Sequence, residues 1–284
     1  MTAHPAMGAV REAVARALAE DLGPLGDLTT ALLPARATVT ADLVPRGDGV
    51  LAGRMAATEA FTQVDVGVRL DWRADDGERI TAGQPVATMA GTLASILVAE
   101  RTALNFLCHL SGIATLTRRY ADAAAPNAHV RDTRKTTPGL RALEKAAVRA
   151  GGGLNHRGSL SDGLLLKDNH LAGISIEKAV AKARVLYPGR AVQVECDDLG
   201  QVRIAALCEA DLLLLDNMTP AEVSECVAAL RRSNYLGVVE VSGGITLDNV
   251  AAYAAAGAQL ISVGALTHSA PILDIGLDIG LDLS

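Results

Sequence analysis

Aromatic side chains make up only 2% of this 284-residue chain, although 50% of it is hydrophobic. A core so poor in rings must be built from Ala, Val, Leu and Ile. At this length the chain forms one large domain or two ordinary ones. Cysteine is also scarce. The four cysteines, at 108, 196, 208 and 226, include no C-x-x-C pair, and they suggest neither a disulfide framework nor a zinc site. No apolar run reaches the length of about 18 residues that a transmembrane helix needs. The N-terminal stretch MTAHPAMGAVREAVARALAEDLG lacks the charged-then-apolar layout of a signal peptide and reads as an amphipathic helix. Positive charge is in deficit, with Lys+Arg 26 against Asp+Glu 32 and a formal net charge of -6. That balance argues against a nucleic-acid binder, which wants a broad basic face. The expectation is a reduced, soluble, cytoplasmic protein with neither membrane nor nucleic acid as partner.

Against that acidic background, DTRKTTPGLRALEK at 132–145 packs Arg134, Lys135, Arg141 and Lys145 into one short stretch. The rest of the chain gives this cluster a setting. Residues 9–20 read as a helix. ATVTADLVPR at 37–46 and the segment 49–54 alternate like half-buried strands, and DDGERITAGQPVATMAG reads as a pair of strands with Gly turns. A helix over about 94–109 is apolar almost all round, which implies burial. Arg101 shares a face with Leu97, Leu104 and Cys108. Such an arginine snorkels, pairs with Glu, or points into an interface or ligand pocket.

From 128 onward, short apolar runs alternate with helical stretches six times: HVRDTR, GLLLKDN, AVQVECD, DLLLLDN, VVEVSGG and LISVGAL. Runs such as LLLL are buried on both faces, as parallel strands are. The pattern predicts a parallel α/β architecture, open sheet or barrel, with too few units for a complete eight-unit barrel.

In such folds ligands bind at the carboxyl ends of the strands. Those ends hold Thr133-Arg134-Lys135, Lys167-Asp168-Asn169-His170, Glu195 and Asp197, Asp216-Asn217, Ser242-Gly243-Gly244, and Gly264 with Thr267 and His268. Each alone is unremarkable, but six together make a ring of charge and glycine on one face. Arg134, Lys135, His156, Arg157 and Lys167 form its cationic half, and Glu195 and Asp216 its anionic half. SGG and VGA on successive strands read as backbone nests at helix starts, which hold phosphate. The ring suits an anionic small molecule with at least one phosphate, because arginines grip carboxylates bidentately. Arg141, Lys145 and Arg149 read as a solvated helix face, Asp168 as a turn or cap residue, and His109 and His129 as structural.

The blocks ERTALNFLCHLSGIAT, DTRKTTPGLRALEKAAVRAGGGLNHR, SDGLLLKDNH, LLDN and SGGI…VGALTHSAP…DIGLDI resemble the nicotinate-nucleotide pyrophosphorylase (carboxylating), or quinolinate phosphoribosyltransferase, family. The resemblance runs from EDLGPLGDLTT to the C-terminal tail. It implies phosphoribosyl transfer from phosphoribosyl pyrophosphate to quinolinate, with decarboxylation and Mg2+, in de novo NAD biosynthesis. Both substrates are polyanions, which accounts for the cationic cluster.

By the same resemblance, Thr133, Arg134, His156, Arg157 and Lys167 hold quinolinate, and Arg101 reaches the site of a neighbouring subunit. Lys135 meets phosphate or pyrophosphate. Glu195 and Asp216 bind the ribose hydroxyls with Mg2+ near them. Ser242, Gly243, Gly244, Val263, Gly264, Ala265 and His268 cradle the 5′-phosphate. The implied assembly is a homodimer with shared active sites, or a higher oligomer of dimers. The implied fold is an N-terminal α+β sandwich domain (1–112, with tail 270–284 returning to it) and an incomplete parallel α/β barrel of six or seven strands (113–269). Two local departures stand out. Cys196 in VECD sits between two acids and is expected to point away from the lumen, and NHRGSL has small residues after Arg157.

Three rivals share parts of the pattern. A pyrophosphorylase-like protein associated with molybdenum uptake is expected to lack KDNH. A Schiff-base lyase would use Lys167. A phosphate-ligand sensor would not need Glu195 and Asp216 among cations.

Overall fold

The computed structural model describes residues 4–34 and 36–280. In chain order its first elements are α1 (Met7–Leu22), β1 (Thr38–Pro45), β2 (Gly49–Val50), α2 (Arg54–Val64), β3 (Arg69–Trp72), β4 (Arg79–Ile80), β5 (Ala87–Thr92) and α3 (Leu93–Ala124). There follow β6 (His129–Arg131), α4 (Arg141–Ala150), β7 (Leu164–Leu166), α5 (Asp168–Leu171), α6 (Ile176–Leu186), β8 (Val192–Cys196) and α7 (Leu199–Leu207). The last are β9 (Leu212–Asp216), α8 (Pro220–Arg232), β10 (Val238–Ser242), α9 (Val250–Ala255), β11 (Leu260–Ser262), α10 (Ala265–His268) and β12 (Ile275–Gly280). They fall into two compact units. One takes in the described residues of Met1–Arg118, Thr136–Gly152 and Leu266–Ser284; the other is Arg119–Lys135 with Gly153–Ala265.

The first unit is built on a four-stranded antiparallel sheet of order β12-β1-β5-β3. The expected pair of strands in DDGERITAGQPVATMAG is β4 and β5, but they do not pair with each other. β4 joins β2, while β5 lies between β1 and β3. Leu43, Phe61, Met89, Ile96, Leu107 and Ile113 are fully buried here, each contributing about 1.5–3 kcal/mol through burial of its side chain.

The helix expected over 94–109 runs on to Ala124 as α3. Gly112 lies within it, and a Cβ there would lie 2.1 Å from the Pro271 carbonyl oxygen. The glycine serves close approach of the tail, not helix termination. α3 is long and apolar enough to cross a membrane by length and composition, yet Ile96, Ala99, Leu107 and Ile113 on it are buried inside the protein, as in a core helix.

The second unit is a six-stranded parallel sheet of order β6-β11-β10-β9-β8-β7. It curls into a barrel that stays open between its edge strands, β6 and β7. An isolated parallel bridge from Arg131 to Leu154 extends the β6 edge. Side chains alternate across these strands. Val192, Val194 and Cys196 of β8 face the helix layer, where Cys226 of α8 lies near Cys196. Gln193 and Glu195 face the concave side. Curvature is visible in the contacts of Glu240 on β10, which meets Arg131 on β6 and Gln193 on β8, each two strands away. The expected α/β class, with an antiparallel sandwich-type unit and an incomplete parallel barrel, is what the chain forms.

Candidate active site

The parallel strands end on one edge, so their last residues converge. Lys167 follows β7, Glu195 lies near the end of β8, Asp216 ends β9, Ser242 ends β10, and Val263 follows β11. Thr133, Arg134 and Lys135 follow β6, where the Thr133 hydroxyl accepts the Lys135 amide at 3.0 Å and shapes the turn.

The charged pair at the centre is Lys167 and Glu195: Nζ donates to Oε2 at 2.5 Å. Arg157 stands close enough to Arg134 and Glu195 to feel both charges. Burial first, and then the neighbouring Arg134, pull the Arg157 guanidinium below its ordinary value. Two guanidiniums held near each other are relieved by a dianion, which matches a dicarboxylate ligand. His156 has a defined tautomer. Its Nδ1 accepts the Arg157 amide at 2.7 Å, so the neutral ring carries its proton on Nε2.

The phosphate side is built from glycine and a hydroxyl. Ser242 Oγ donates to Asp216 Oδ1 at 2.6 Å, and Asn217 Nδ2 donates to Asp216 Oδ2 at 2.7 Å. Gly243 (φ +90) and Gly244 (φ +60) both take the left-handed conformation. At Gly243 an added Cβ would fall 2.1 Å from Asn217 Oδ1 and 2.9 Å from its backbone nitrogen. Of the two nests expected at helix starts, only Val263-Gly264-Ala265 leads straight into a helix, the four-residue α10. Ser242-Gly243-Gly244 opens a loop, and α9 begins only at Val250.

Below this rim lies a polar layer that the strand-end reading missed. Glu240 is fully buried. Its Oε2 accepts from Arg131 Nη1 at 2.9 Å and from Gln193 Nε2 at 2.7 Å, and Ser262 donates to Oε1. Asp132, also fully buried, accepts the His156 amide at 2.8 Å and Asn155 Nδ2 at 2.6 Å. The missing signal was the strand period itself: Arg131, Gln193 and Glu240 each stand two residues before Thr133, Glu195 and Ser242. Taking the alternation one step inward finds them.

Sequence models of one family match almost the whole chain. The model described as "Quinolinate phosphoribosyl transferase, N-terminal domain" covers residues 27–111, and "Quinolinate phosphoribosyl transferase, C-terminal domain" covers 113–278. The chain belongs to the quinolinate phosphoribosyltransferase family. It is 46% identical over 278 residues to a nicotinate-nucleotide pyrophosphorylase [carboxylating] of Mycobacterium leprae, covering 95% of this chain and 97% of that one. A probable enzyme of the same name from Synechocystis is 43% identical over 92% of this chain and 90% of its own. The solved structure of the nicotinate-nucleotide pyrophosphorylase from Francisella tularensis superposes with a TM-score of 0.93 at 35% identity, over 99% of both chains.

For this family member, several sequence expectations need correction. Lys145 is not on a solvated face. It is buried, as is Glu144 beside it, because α4 is covered nearly all round. Arg141 Nε donates to Thr136 Oγ1 at 3.0 Å, and Arg149 reaches the His4 carbonyl at 3.2 Å. His109, read as structural, pairs with Glu144 Oε1 at 2.9 Å, and Glu144 Oε2 accepts the Thr137 amide at 3.1 Å. Arg101 is exposed on α3, although Leu104 and Cys108 beside it are buried. Arg101 and His268 belong to the first unit, and the remaining predicted site residues to the second. His268 Nδ1 lies 2.6 Å from Ser269 Oγ. Cys196 points away from the concave side, as alternation predicts, and burial pushes its thiol up to about 12.

Proposed function

We propose that this chain transfers the phosphoribosyl group of phosphoribosyl pyrophosphate to the ring nitrogen of quinolinate, with loss of one carboxylate. The products are nicotinate mononucleotide, pyrophosphate and carbon dioxide, in de novo NAD biosynthesis. The observation that carries this reading is the cationic set Arg134, Arg157 and Lys167 facing Glu195 across 2.5 Å from Lys167. A site with this charge pattern accepts a dicarboxylate and stabilises a developing ribosyl cation.

Arg134, Arg157 and Lys167 bind the two carboxylates, Thr133 shapes the turn that carries Arg134 and Lys135, and His156 donates from Nε2. Glu195 and Asp216 take the ribose hydroxyls and stabilise positive charge at the anomeric carbon. Lys135 meets the departing pyrophosphate. Ser242, Gly243, Gly244, Val263, Gly264 and Ala265 receive the 5′-phosphate through backbone N–H groups, with His268 assigned to the same phosphate. When the ring nitrogen gains the ribosyl group it becomes cationic. That charge stabilises the carbanion left when the adjacent carboxylate departs, and a proton then fills the position. The protein positions the reactants and compensates charge; no covalent nucleophile is required.

The donor set fits Mg2+. Among the described residues no cluster of three His, Cys, Asp or Glu could hold a metal alone. Glu195 and Asp216 would be the carboxylates to hold a diphosphate-borne Mg2+, since this ion is usually held by one or two carboxylates plus substrate phosphates. When bound, the ion neutralises charge on the departing pyrophosphate.

The Schiff-base alternative fits poorly. The Lys167 nitrogen is engaged by Glu195 at 2.5 Å and is not held free to attack a carbonyl, as that reaction needs. The assembly we assign is a homodimer, with the exposed Arg101 completing the neighbour's site, in a soluble cytoplasmic enzyme.

The deciding experiment incubates the protein with phosphoribosyl pyrophosphate and Mg2+, with quinolinate in one arm and nicotinate in the other. Nicotinate mononucleotide and carbon dioxide from quinolinate alone support the reading. Product from nicotinate alone, or from neither, overturns it.

A further inference from the structure

We propose that Glu240 is a positioning residue for the quinolinate site. The inference rests on the function proposed above, but its observations are independent of it. Glu240 is a fully buried carboxylate on the concave side of β10. A buried charge persists only when paired and hydrogen-bonded, and here every contact ties it to a segment that carries a site residue. Arg131 donates to Oε2 at 2.9 Å from Nη1, and Arg131 Nη2 reaches the Asn155 carbonyl at 3.3 Å, next to His156. His156 Nε2 lies 3.8 Å from Oε1. Gln193, two residues before Glu195, donates at 2.7 Å, and Ser262 donates from β11.

The geometry gives Glu240 two tasks. It neutralises Arg131, so that this guanidinium stays in the layer below and holds the Asn155 carbonyl instead of swinging up to the ligand. It also sets the electrostatics beneath His156. The Arg157 amide fixes Nδ1 as acceptor, so the ring presents Nε2–H, and the carboxylate below it biases where that dipole points. Glu240 thereby acts on quinolinate through His156 and Arg131 and does not touch the reacting atoms.

The test compares Glu240→Gln, Glu240→Asp and Arg131→Lys with the unaltered enzyme. It measures kcat, both KM values, the quinolinate Kd by calorimetry, and Tm. Glu240→Gln keeps the volume and removes the charge. The expected result is a rise of about tenfold in the KM and Kd for quinolinate, with the KM for phosphoribosyl pyrophosphate changed by less than about twofold. Glu240→Asp, which restores the charge, should recover part of the loss. Arg131→Lys keeps a cation beside the carboxylate but loses the second arm to Asn155, and it should raise the quinolinate KM in the same way. Should Glu240→Gln fail to fold, Arg131→Lys decides.

A purely structural role would lower Tm and the active fraction and leave both KM values in place; that result overturns the proposal. So does an equal rise in both KM values, or tighter quinolinate binding, which would mean that the charge acts only by repelling the ligand. The unaltered enzyme is the separate control on the reaction. If it makes no product from quinolinate, the proposed function fails, and the Kd comparison still decides the role of Glu240.

Discussion

Lys167 and Glu195 neutralise each other across a 2.5 Å hydrogen bond, with Glu195 largely buried and Lys167 nearly half-exposed. Each is assigned to a different substrate. On that assignment, a ribosyl group that engaged Glu195 would release Lys167 towards quinolinate, and quinolinate that engaged Lys167 would release Glu195. Removing one partner leaves the other uncompensated, so the two sites are energetically linked. Lys167→Ala should chiefly raise the KM for quinolinate and Glu195→Ala that for phosphoribosyl pyrophosphate. The double variant should lose less than the sum, with a coupling of about 2 kcal/mol. A full double-mutant cycle on kcat/KM checks this, and strict additivity would refute the link.

Gly243→Ala places a methyl group against Asn217 in a backbone conformation that L side chains rarely adopt. Strain of this kind costs roughly 1–3 kcal/mol. The substitution should raise the KM for phosphoribosyl pyrophosphate severalfold and leave that for quinolinate nearly unchanged. Steady-state kinetics with each substrate varied in turn decides it, and an unmoved phosphoribosyl pyrophosphate KM would remove Gly243 from the phosphate cradle.

Arg101 stands exposed on α3. If it completes a neighbour's site, Arg101→Ala and Lys167→Ala are each strongly impaired alone at quinolinate concentrations well below their raised KM but complement one another. Mixing the two variants after partial denaturation and refolding should restore about one quarter of the unaltered enzyme's activity under those conditions, since half of the dimers are mixed and each carries one intact site. No recovery, in a mixture whose dimer formation is confirmed by light scattering, would place Arg101 outside the site.

Glu222 closes the capping box of α8. Its Oε2 accepts the Thr219 amide at 2.7 Å, and its own amide donates to Thr219 Oγ1 at 3.4 Å. The Thr219 amide, and then the Thr219 hydroxyl, hold the carboxyl below its usual range. A carboxyl depressed in the folded state contributes stability above its unfolded value of about 4.3, and that contribution is lost as pH falls through the lower folded value. Glu222→Gln should therefore lower Tm at neutral pH, with the gap closing below about pH 4. Thermal unfolding at pH 7 and pH 3 measures it; an undiminished gap at pH 3 would show that the charge is not the cause.

Much of this was legible in sequence because period two and period 3.6 report burial directly. VQVEC becomes a fully buried strand and LLLL one buried at all but its first leucine, and their polar ends converge as the architecture demands. What escaped has physical causes. The continuation of α3 beyond 109 depends on packing against a tail segment distant in sequence, which Gly112 admits at close approach. The burial of Lys145 was hidden because i, i+4 cations read as a solvated stripe until the whole of α4 is covered. Glu240 was missed because the strand alternation has to be followed one step inward from the polar rim, and Asp132 because its partners, Asn155 and the His156 amide, lie in a loop distant in sequence.

β12 pairs with β1 from Pro45↔Ile275 to Thr40↔Gly280. The first unit's sheet therefore cannot be completed during synthesis until residues 275–280 have left the exit tunnel, after the entire second unit has emerged. Until then one side of β1 is a bare edge, able to recruit any extended chain nearby. Nascent chains halted before that point are the form of this protein most in need of a chaperone.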